Sequence, residues 1–328
     1  LAIQKKGIEI TSELMSIAQE LGASSFCAIA TEVFRKSNNG ESFLNELSTE
    51  LGIPIHIVAQ ELEAELGYST GVALQSAFDN ESETKGYIVW DSGGASFQIT
   101  YRADNNPGDF NNINMNCENI SRDSSIFSSP LQFYVGAYGS GVAMKLLVES
   151  IQKKKLEDVP TPNPVPPEDA AALISTIHRS LPVEVPDWLR NATVVTAIGG
   201  PNSVFYLATR LVSSLRAQSE KEQMIHSDKN DSDMEGSDAY PIITSFTLAD
   251  IEAAVSHVVG RDDQFLQRYL SHSHADPPSL IIPKLALLNA VLLHTGIRQV
   301  QFVEAIGSCA GVLITEKLWS AANVNDKA

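Results

Sequence analysis

The chain has 328 residues, 43% of them hydrophobic and 19% charged, which is enough apolar material for a real core and a length suited to about two domains. Lys and Arg total 23 against 40 acids, a net charge of −17 with a pI near 4.8. That balance excludes general electrostatic binding to nucleic acid or to an anionic membrane, both of which need a basic face. Cys27, Cys117 and Cys309 are too few and too scattered for a disulfide framework or a zinc site, and are expected to be structural thiols in a reducing compartment. No apolar stretch is read as reaching the 18 or so residues of a membrane span, no signal peptide is recognised, and a cytoplasmic location is expected. The first residue is Leu1 rather than methionine.

Leu14, Ile17, Ala18 and Leu21 recur at helical spacing, with Thr11 as the expected N-cap and Gly22 as the stop. The apolar run from Ser25 to Thr31 reads as a buried strand. Phe43, Leu44, Leu47 and Leu51 mark a second helix closed by Gly52, Ile53 to Val58 is strand-like, and Gln60 to Leu66 returns to helix. Alternating strand and helix argue for an α/β sheet. From Gly86 the pattern changes: strands at Tyr87–Asp91 and Ser96–Tyr101 flank the short turn Ser92-Gly93-Gly94-Ala95, an antiparallel hairpin.

An Asn- and Ser-rich loop is expected at 105–129, then helices at Ala137–Gln152 and Pro167–Ser180 joined by a stiff proline-rich connection over 156–167. Thr193–Ile198 reads as a strand whose Gly199-Gly200 leads into a helix from Ser203 to Leu215. The acidic stretch 218–240 reads as a disordered insertion. Helices at Leu248–Val259, Asp262–Leu270 and Pro283–Thr295, a strand at Gln299–Val303 and a helix from Ser308 complete the reading.

The segment Asp91-Ser-Gly93-Gly94-Ala95-Ser96 carries the most chemistry. Glycines let backbone N–H groups approach an oxyanion, and a carboxylate at the end of a strand can hold a hydrated Mg²⁺ beside phosphates. A plain Asp-Gly hairpin turn has the same composition, so this segment alone leaves both readings open. Thr31-x-x-x-Arg35-x-x-x-Asn39 follows a strand and opens a helix, where a guanidinium and a helix N-terminus would favour one anion. Glu61, Glu63 and Glu65 have the spacing of a solvated helix face, yet they follow a buried strand, where α/β proteins place their sites. His272-x-His274 reads as a surface loop, His56 as a core histidine, and Asn80, Asn119, Asn191 and Asn230 as chance sequons. No P-loop or dinucleotide fingerprint occurs.

In this order the segments resemble the exopolyphosphatase and guanosine-pentaphosphate phosphohydrolase family. Its patterns are Thr-x-x-x-Arg-x-x-x-Asn, Gly-x-Glu-Glu-Ala, Asp-x-Gly-Gly-Gly-Ser-Thr-Glu and a later Gly-Gly turn. Thr31, Arg35 and Asn39 fit the first; Glu63 and Ala64 the second, with Gly71-Val72 echoing its continuation. Asp91, Gly93, Gly94 and Ser96 fit the third, and Gly199 and Gly200 the last. The pattern is broken at Gln60, Leu62, Ala95, Phe97 and Gln98, and Ser308-Cys309-Ala310 stand where the family has Leu-Arg-Glu.

The resemblance implies the actin, sugar-kinase and heat-shock ATPase fold, an α/β architecture of two ribonuclease-H-like lobes facing across a phosphate cleft. Residues 1–80 are expected to form the remainder of the first lobe and 81–328 the second. The family's opening strand-turn motif would lie before Leu1, so the first lobe is expected to be incomplete and this chain to be catalytically dead or nearly so. The implied reaction is Mg²⁺-dependent release of terminal phosphate from inorganic polyphosphate or guanosine pentaphosphate. Glu63 would be the general base and Asp91 the metal anchor. Thr31, Arg35, Asn39, Gly93, Gly94, Ser96, Gly199 and Gly200 would bind phosphate. Neither nucleic acid nor membrane is an expected partner, and a homodimer is left open. The alternative is a non-catalytic phosphate- or nucleotide-sensing regulator of the same fold.

Overall fold

The computed structural model describes residues 2–76, 87–103, 130–225, 243–270, 276–315 and 318–319. They form two sheets, one of two strands and one of six. The first unit runs α1 (Ala2–Glu20), β1 (Ala28–Ala30), α2 (Glu32–Lys36), α3 (Gly40–Leu51) and β2 (Ile55–Ile57). β1 and β2 pair in parallel, Ala28 with Ile55 and Ala30 with Ile57. Leu44 and Leu47 of α3 bury themselves against Ala30, the short-range core that the helical spacing predicts. Gly52 ends α3 in the left-handed region at φ 67°, returning its N–H to the Ser48 carbonyl.

Helix α1 differs from expectation. It starts at Ala2, and Thr11 lies in its interior with Oγ1 donating to the Gly7 carbonyl at 2.9 Å instead of capping. The face turned toward α3 is the one with Gly7 and Ile8, and Leu14, Ile17 and Leu21, whose spacing marks the helix, are exposed. Spacing shows that one face is apolar but not what lies against it.

The second sheet has the order β5-β4-β3-β6-β8-β7. β3 (Ile88–Ser92) and β4 (Phe97–Tyr101) are the predicted hairpin, with Asp91 opposite Gln98; β5 (Gln132–Gly136) adds antiparallel to β4. On the other side of β3, β6 (Val194–Gly199) and β8 (Gln299–Glu304) run parallel to it, and β7 (Ser245–Phe246) closes the edge antiparallel to β8. β5 and β7 were not legible in the sequence: the first follows a long polar stretch and the second is two residues long.

Strand alternation divides the chemistry of this sheet. Trp90, Phe97, Val195 and Ala197 face a large core built with Ser140–Lys145, the π-helical turn Leu146–Ile151, and the helices Pro167–Ser180, Val204–Ile225, Leu248–Val258 and Ile281–Thr295. Val89 and Ile198 face the other way, against Tyr68 and Val72 of α4 (Gln60–Ser76). Asp91, two residues beyond Val89, therefore also points at α4.

Helix α4 is held close by two glycines. A Cβ on Gly71 would stand 2.7 Å from the Val89 methyls, and one on Gly311 would stand 2.1 Å from the Leu66 carbonyl oxygen. The second contact seats the short helix Cys309–Ile314 against α4, and Gly311 N–H donates to Thr70 Oγ1 at 2.8 Å.

Other corrections are local. The helix expected from Ala137 starts at Ser140. The helix expected to stop at Leu215 continues to Ile225, so residues 218–225 of the expected acidic insertion are helical. The segment Pro278–Thr295 is long and apolar enough to cross a membrane, contrary to the first reading, but in the fold it is the buried central helix with its lead-in turn. Cys309 is exposed rather than a core thiol, whereas the Cys27 thiol is partly buried and burial raises its pKa. The 105–129 loop, residues 226–240 of the insertion, Cys117, His272, His274 and the sequons at Asn80, Asn119 and Asn230 lie outside the described residues.

Candidate phosphate site

The turn after β3 stands between two adjoining cavities of about 300 and 330 Å³. Gly93 and Gly94 line both. The first is walled by Thr31, Glu32 and Glu63 on one side and by Ala95, Ser96 and Lys145 on the other. The second is walled by Asp91, Ser140, Gly199, Gly200 and Ser203. Eight of the ten predicted residues thus meet around one turn, from segments far apart in sequence: Thr31, Glu63, Asp91, Gly93, Gly94, Ser96, Gly199 and Gly200.

Arg35 and Asn39 do not line either cavity. Arg35 lies behind Glu63. Its Nη2 pairs with Glu63 Oε2 at 2.8 Å and Glu32 Oε2 at 3.0 Å, and Nη1 donates to the Val58 carbonyl at 2.7 Å. The three side chains are only 15–18% exposed, so the guanidinium is fixed between two carboxylates with little room for solvent. Desolvation opposes its charge, but Glu63 and Glu32 outweigh that and raise its pKa further. Glu32 is held ionised by Lys36 first, which lowers its pKa, with Arg35 assisting. In this arrangement the Arg35 guanidinium is paired with both carboxylates beside the first cavity. Asn39 sits exposed at the N-cap of α3, where its carbonyl accepts from Phe43 N–H and its side chain makes no cap bond.

Asp91 is enclosed by α4 and β4. A Cβ on Gly67 would be 3.4 Å from Asp91 Oδ2, an ordinary van der Waals contact, which places this turn of α4 directly beside the carboxylate. Gln98 Nε2 donates to Oδ2 at 3.1 Å. Burial first, and the Glu63 charge second, push the Asp91 carboxyl up to about 6, against the opposing bonds from Ser92 N–H and Gln98. Ser92 Oγ is buried beside it without a hydrogen-bond partner.

A buried carboxylate beside an unsatisfied oxygen and a second carboxylate is an all-oxygen donor set, the kind Mg²⁺ takes together with waters and substrate phosphates. Among the described residues no three His, Cys, Asp or Glu side chains cluster as a self-sufficient metal cage. A cation here would complete its shell with waters or ligand oxygens.

The sequence reading missed what braces the turn. Gly139-Ser140-Gly141 opens the helix Ser140–Lys145, and its first N–H groups donate to turn carbonyls: Ser140 to Gly93 at 3.2 Å, Gly141 to Gly94 at 2.8 Å. A Cβ on Gly139 would lie 2.3–2.4 Å from three backbone atoms of Gly93, Gly94 and Ala95. The Gly-x-Gly spacing before a helix was the available signal. Lys145 also escaped notice; it brings a cation to a cavity that otherwise carries two acids.

Several departures from the family pattern now have places. Phe97 is fully buried at edge-on aromatic distance from Trp90, and Leu62 packs near Leu66 and Val312, so neither faces the cavities. Ala95 lines the first cavity in place of a glycine. Gln98 occupies the position of a carboxylate and donates to Asp91 instead of repelling it.

Residues 1–129 match the model of the Ppx/GppA phosphatase family. No curated protein matches the sequence. Among solved structures, an exopolyphosphatase from Cytophaga hutchinsonii is similar at TM-score 0.59 and 13% identity, over 95% of this chain and 81% of its own. A Ppx/GppA enzyme from Aquifex aeolicus is similar at TM-score 0.57 and 13% identity, over 95% of this chain and 82% of its own. Nearly the whole chain accordingly has the actin-like ATPase fold, and its first 129 residues carry the sequence pattern of the Ppx/GppA phosphatase family.

Proposed function

We propose that this protein is a phosphohydrolase of the exopolyphosphatase type, releasing terminal phosphate from inorganic polyphosphate or from guanosine pentaphosphate with Mg²⁺. The observation that carries the reading is the convergence of Glu63, Asp91 and the Gly93-Gly94 turn on one pair of cavities, with Gly199-Gly200 opposite. The match of residues 1–129 to a phosphatase family supports it, since that span contains the first three motifs.

Phosphoryl transfer needs positioning and charge neutralisation more than covalent chemistry. Glu63, oriented by Arg35, accepts the proton of the attacking water. The Gly93-Gly94-Ala95-Ser96 turn, whose Gly93 N–H is spent on the Ser96 carbonyl, offers its remaining backbone N–H groups to phosphate oxygens from one side. The Gly199–Ser203 turn, whose Ser203 N–H is spent on the Gly200 carbonyl, does so from the other. Thr31 and Lys145 add a hydroxyl and a cation to the first cavity. Asp91 would hold Mg²⁺, which would neutralise phosphate charge.

One observation favours a second reading, a binding protein without turnover: Gln98 ties up Asp91 where a second acid would help organise a cation. Phosphate release from tripolyphosphate separates the two. We expect Glu63→Gln to lower the rate about 10²–10⁴-fold, the usual contribution of a general base, while leaving tripolyphosphate affinity within about two-fold. A wild type that binds tripolyphosphate without releasing phosphate supports the sensor, and equal rates in both proteins remove Glu63 from the chemistry.

A further inference from the structure

The central helix Ile281–Thr295 is buried along almost its whole length, and Lys284 is its only lysine or arginine. The Lys284 side chain is 4% exposed. Burial lowers the pKa of its ammonium, against the opposing pull of Asp276. An ammonium this deep is costly and demands partners. It has two: the Asp276 carboxylate, and the main-chain carbonyl of Asn202, to which Nζ donates at 2.7 Å.

Asn202 belongs to the Gly199–Ser203 turn that lines the second cavity, whereas Lys284 does not line that cavity. Its own position is behind the turn, beside Pro201, Tyr206 and Arg210. The turn is already tied at its ends: Ser203 N–H donates to the Gly200 carbonyl at 2.9 Å, and Ser203 Oγ caps Val204–Ile225 by accepting from Tyr206 N–H at 3.1 Å. The Asn202 carbonyl shares a planar trans peptide with the Ser203 N–H, so the bond to Gly200 turns that carbonyl outward, and Lys284 is the side chain that holds it there. A carbonyl oxygen turned into the cavity would repel an anion; one drawn back by an ammonium leaves that side to N–H groups.

We propose that Lys284 is a positioning residue for anion binding: by holding the Asn202 carbonyl from behind, it fixes the Gly199–Ser203 turn in the form that receives a phosphate oxygen. The proposal rests on the phosphate reading of the cavities. It does not make Lys284 a ligand of the phosphate. The residue acts through the turn.

The test uses the whole chain as wild type, Lys284→Met and Asp276→Asn. Two measurements are made: amide hydrogen exchange without ligand, and calorimetric binding of tripolyphosphate with Mg²⁺. Lys284→Met is expected to raise exchange within residues 200–205 about ten-fold, the value of one lost charge-assisted hydrogen bond, while Leu248–Val258 exchanges as before. Tripolyphosphate affinity should fall by a similar factor of about ten. Asp276→Asn keeps the bond to the carbonyl but removes the charge that anchors the ammonium, and should shift both readouts about three-fold, less than Lys284→Met. This second variant keeps the test open if Lys284→Met fails to fold, because wild-type exchange within residues 200–205 in Asp276→Asn overturns the proposal.

Exchange that rises equally through Leu248–Val258 means a purely structural lysine and overturns the proposal. So does wild-type affinity in a Lys284→Met protein whose fold is intact. If wild type itself takes up no tripolyphosphate, the phosphate reading fails first and the proposal falls with it, a result distinguishable from the other two.

Discussion

Asp91 shows how one side chain couples stability to ligand. Its carboxyl is raised to about 6, so the folded protein keeps the proton over a range in which the unfolded chain, at the ordinary 3.8, has lost it. The sign follows: below about pH 4 both states are protonated and Asp91 costs nothing. The penalty grows as pH rises toward 6 and is complete above it, at roughly 2–3 kcal/mol for this shift. In EDTA, Asp91→Asn should therefore melt higher than wild type at pH 8, with the gap closing toward pH 4. Mg²⁺ and tripolyphosphate together should reverse the order at pH 8 by stabilising the wild type alone. A variant equal to or below wild type in EDTA at pH 8 would remove the electrostatic account of this site. The carboxylate at the strand end was legible in the sequence because a strand-turn-strand pattern fixes where its last side chain goes. The motif that contains Arg35 says nothing of its ion pair with Glu63, a residue that only the fold brings beside the guanidinium.

At the scale of elements, the site depends on close approaches that only glycine permits. The turn between β3 and β4 is positioned by the helix Ser140–Lys145, and Gly139 is the residue at which the two backbones touch. Gly139→Ala forces a shift, because the atoms at 2.3–2.4 Å are backbone and cannot rotate away. The expected cost is about 1–3 kcal/mol of overpacking in thermal or urea unfolding. A larger relative loss of tripolyphosphate binding should accompany it, since the displaced atoms are those of the Gly93-Gly94 turn. Gly311→Ala provides the contrast: its clash is with the Leu66 carbonyl on the far side of α4, so stability should fall with less effect on binding. Binding losses in the opposite order would mean that α4, not the turn, sets the geometry. Most elements could be read from periodicity and glycine punctuation, including α3 with its Gly52 cap and the β3–β4 hairpin. Contacts between elements could not, since the Gly139–turn and Gly311–α4 approaches join residues distant in sequence.

For the whole molecule the governing quantity is the charge of −17 on a protein proposed to bind a polyanion. Among the described residues few cations stand near the cavities: Lys145 on the wall, Arg35 and Lys36 in ion pairs with Glu63 and Glu32, and Lys284 behind the Gly199–Ser203 turn. A triphosphate bound as proposed would lie beside the Gly93-Gly94 turn, where contacts are short and partly shielded from solvent. A chain of tens of phosphates must run out over an acidic surface, where every added unit is repelled. That repulsion acts over a Debye length, about 30 Å at 0.01 M salt but about 8 Å at 0.15 M. Short-range contacts at the turn lose less to screening than the long-range term does. The affinity ratio of long-chain polyphosphate to tripolyphosphate, expressed per chain and measured by calorimetry at constant free Mg²⁺, should therefore rise as NaCl is raised from about 0.01 to 0.15 M. A basic polyanion-binding surface behaves in the opposite way, losing long-chain affinity fastest as salt increases. If the ratio falls with salt, the acidic surface does not govern the encounter, and a local basic track outside the two cavities must carry the chain.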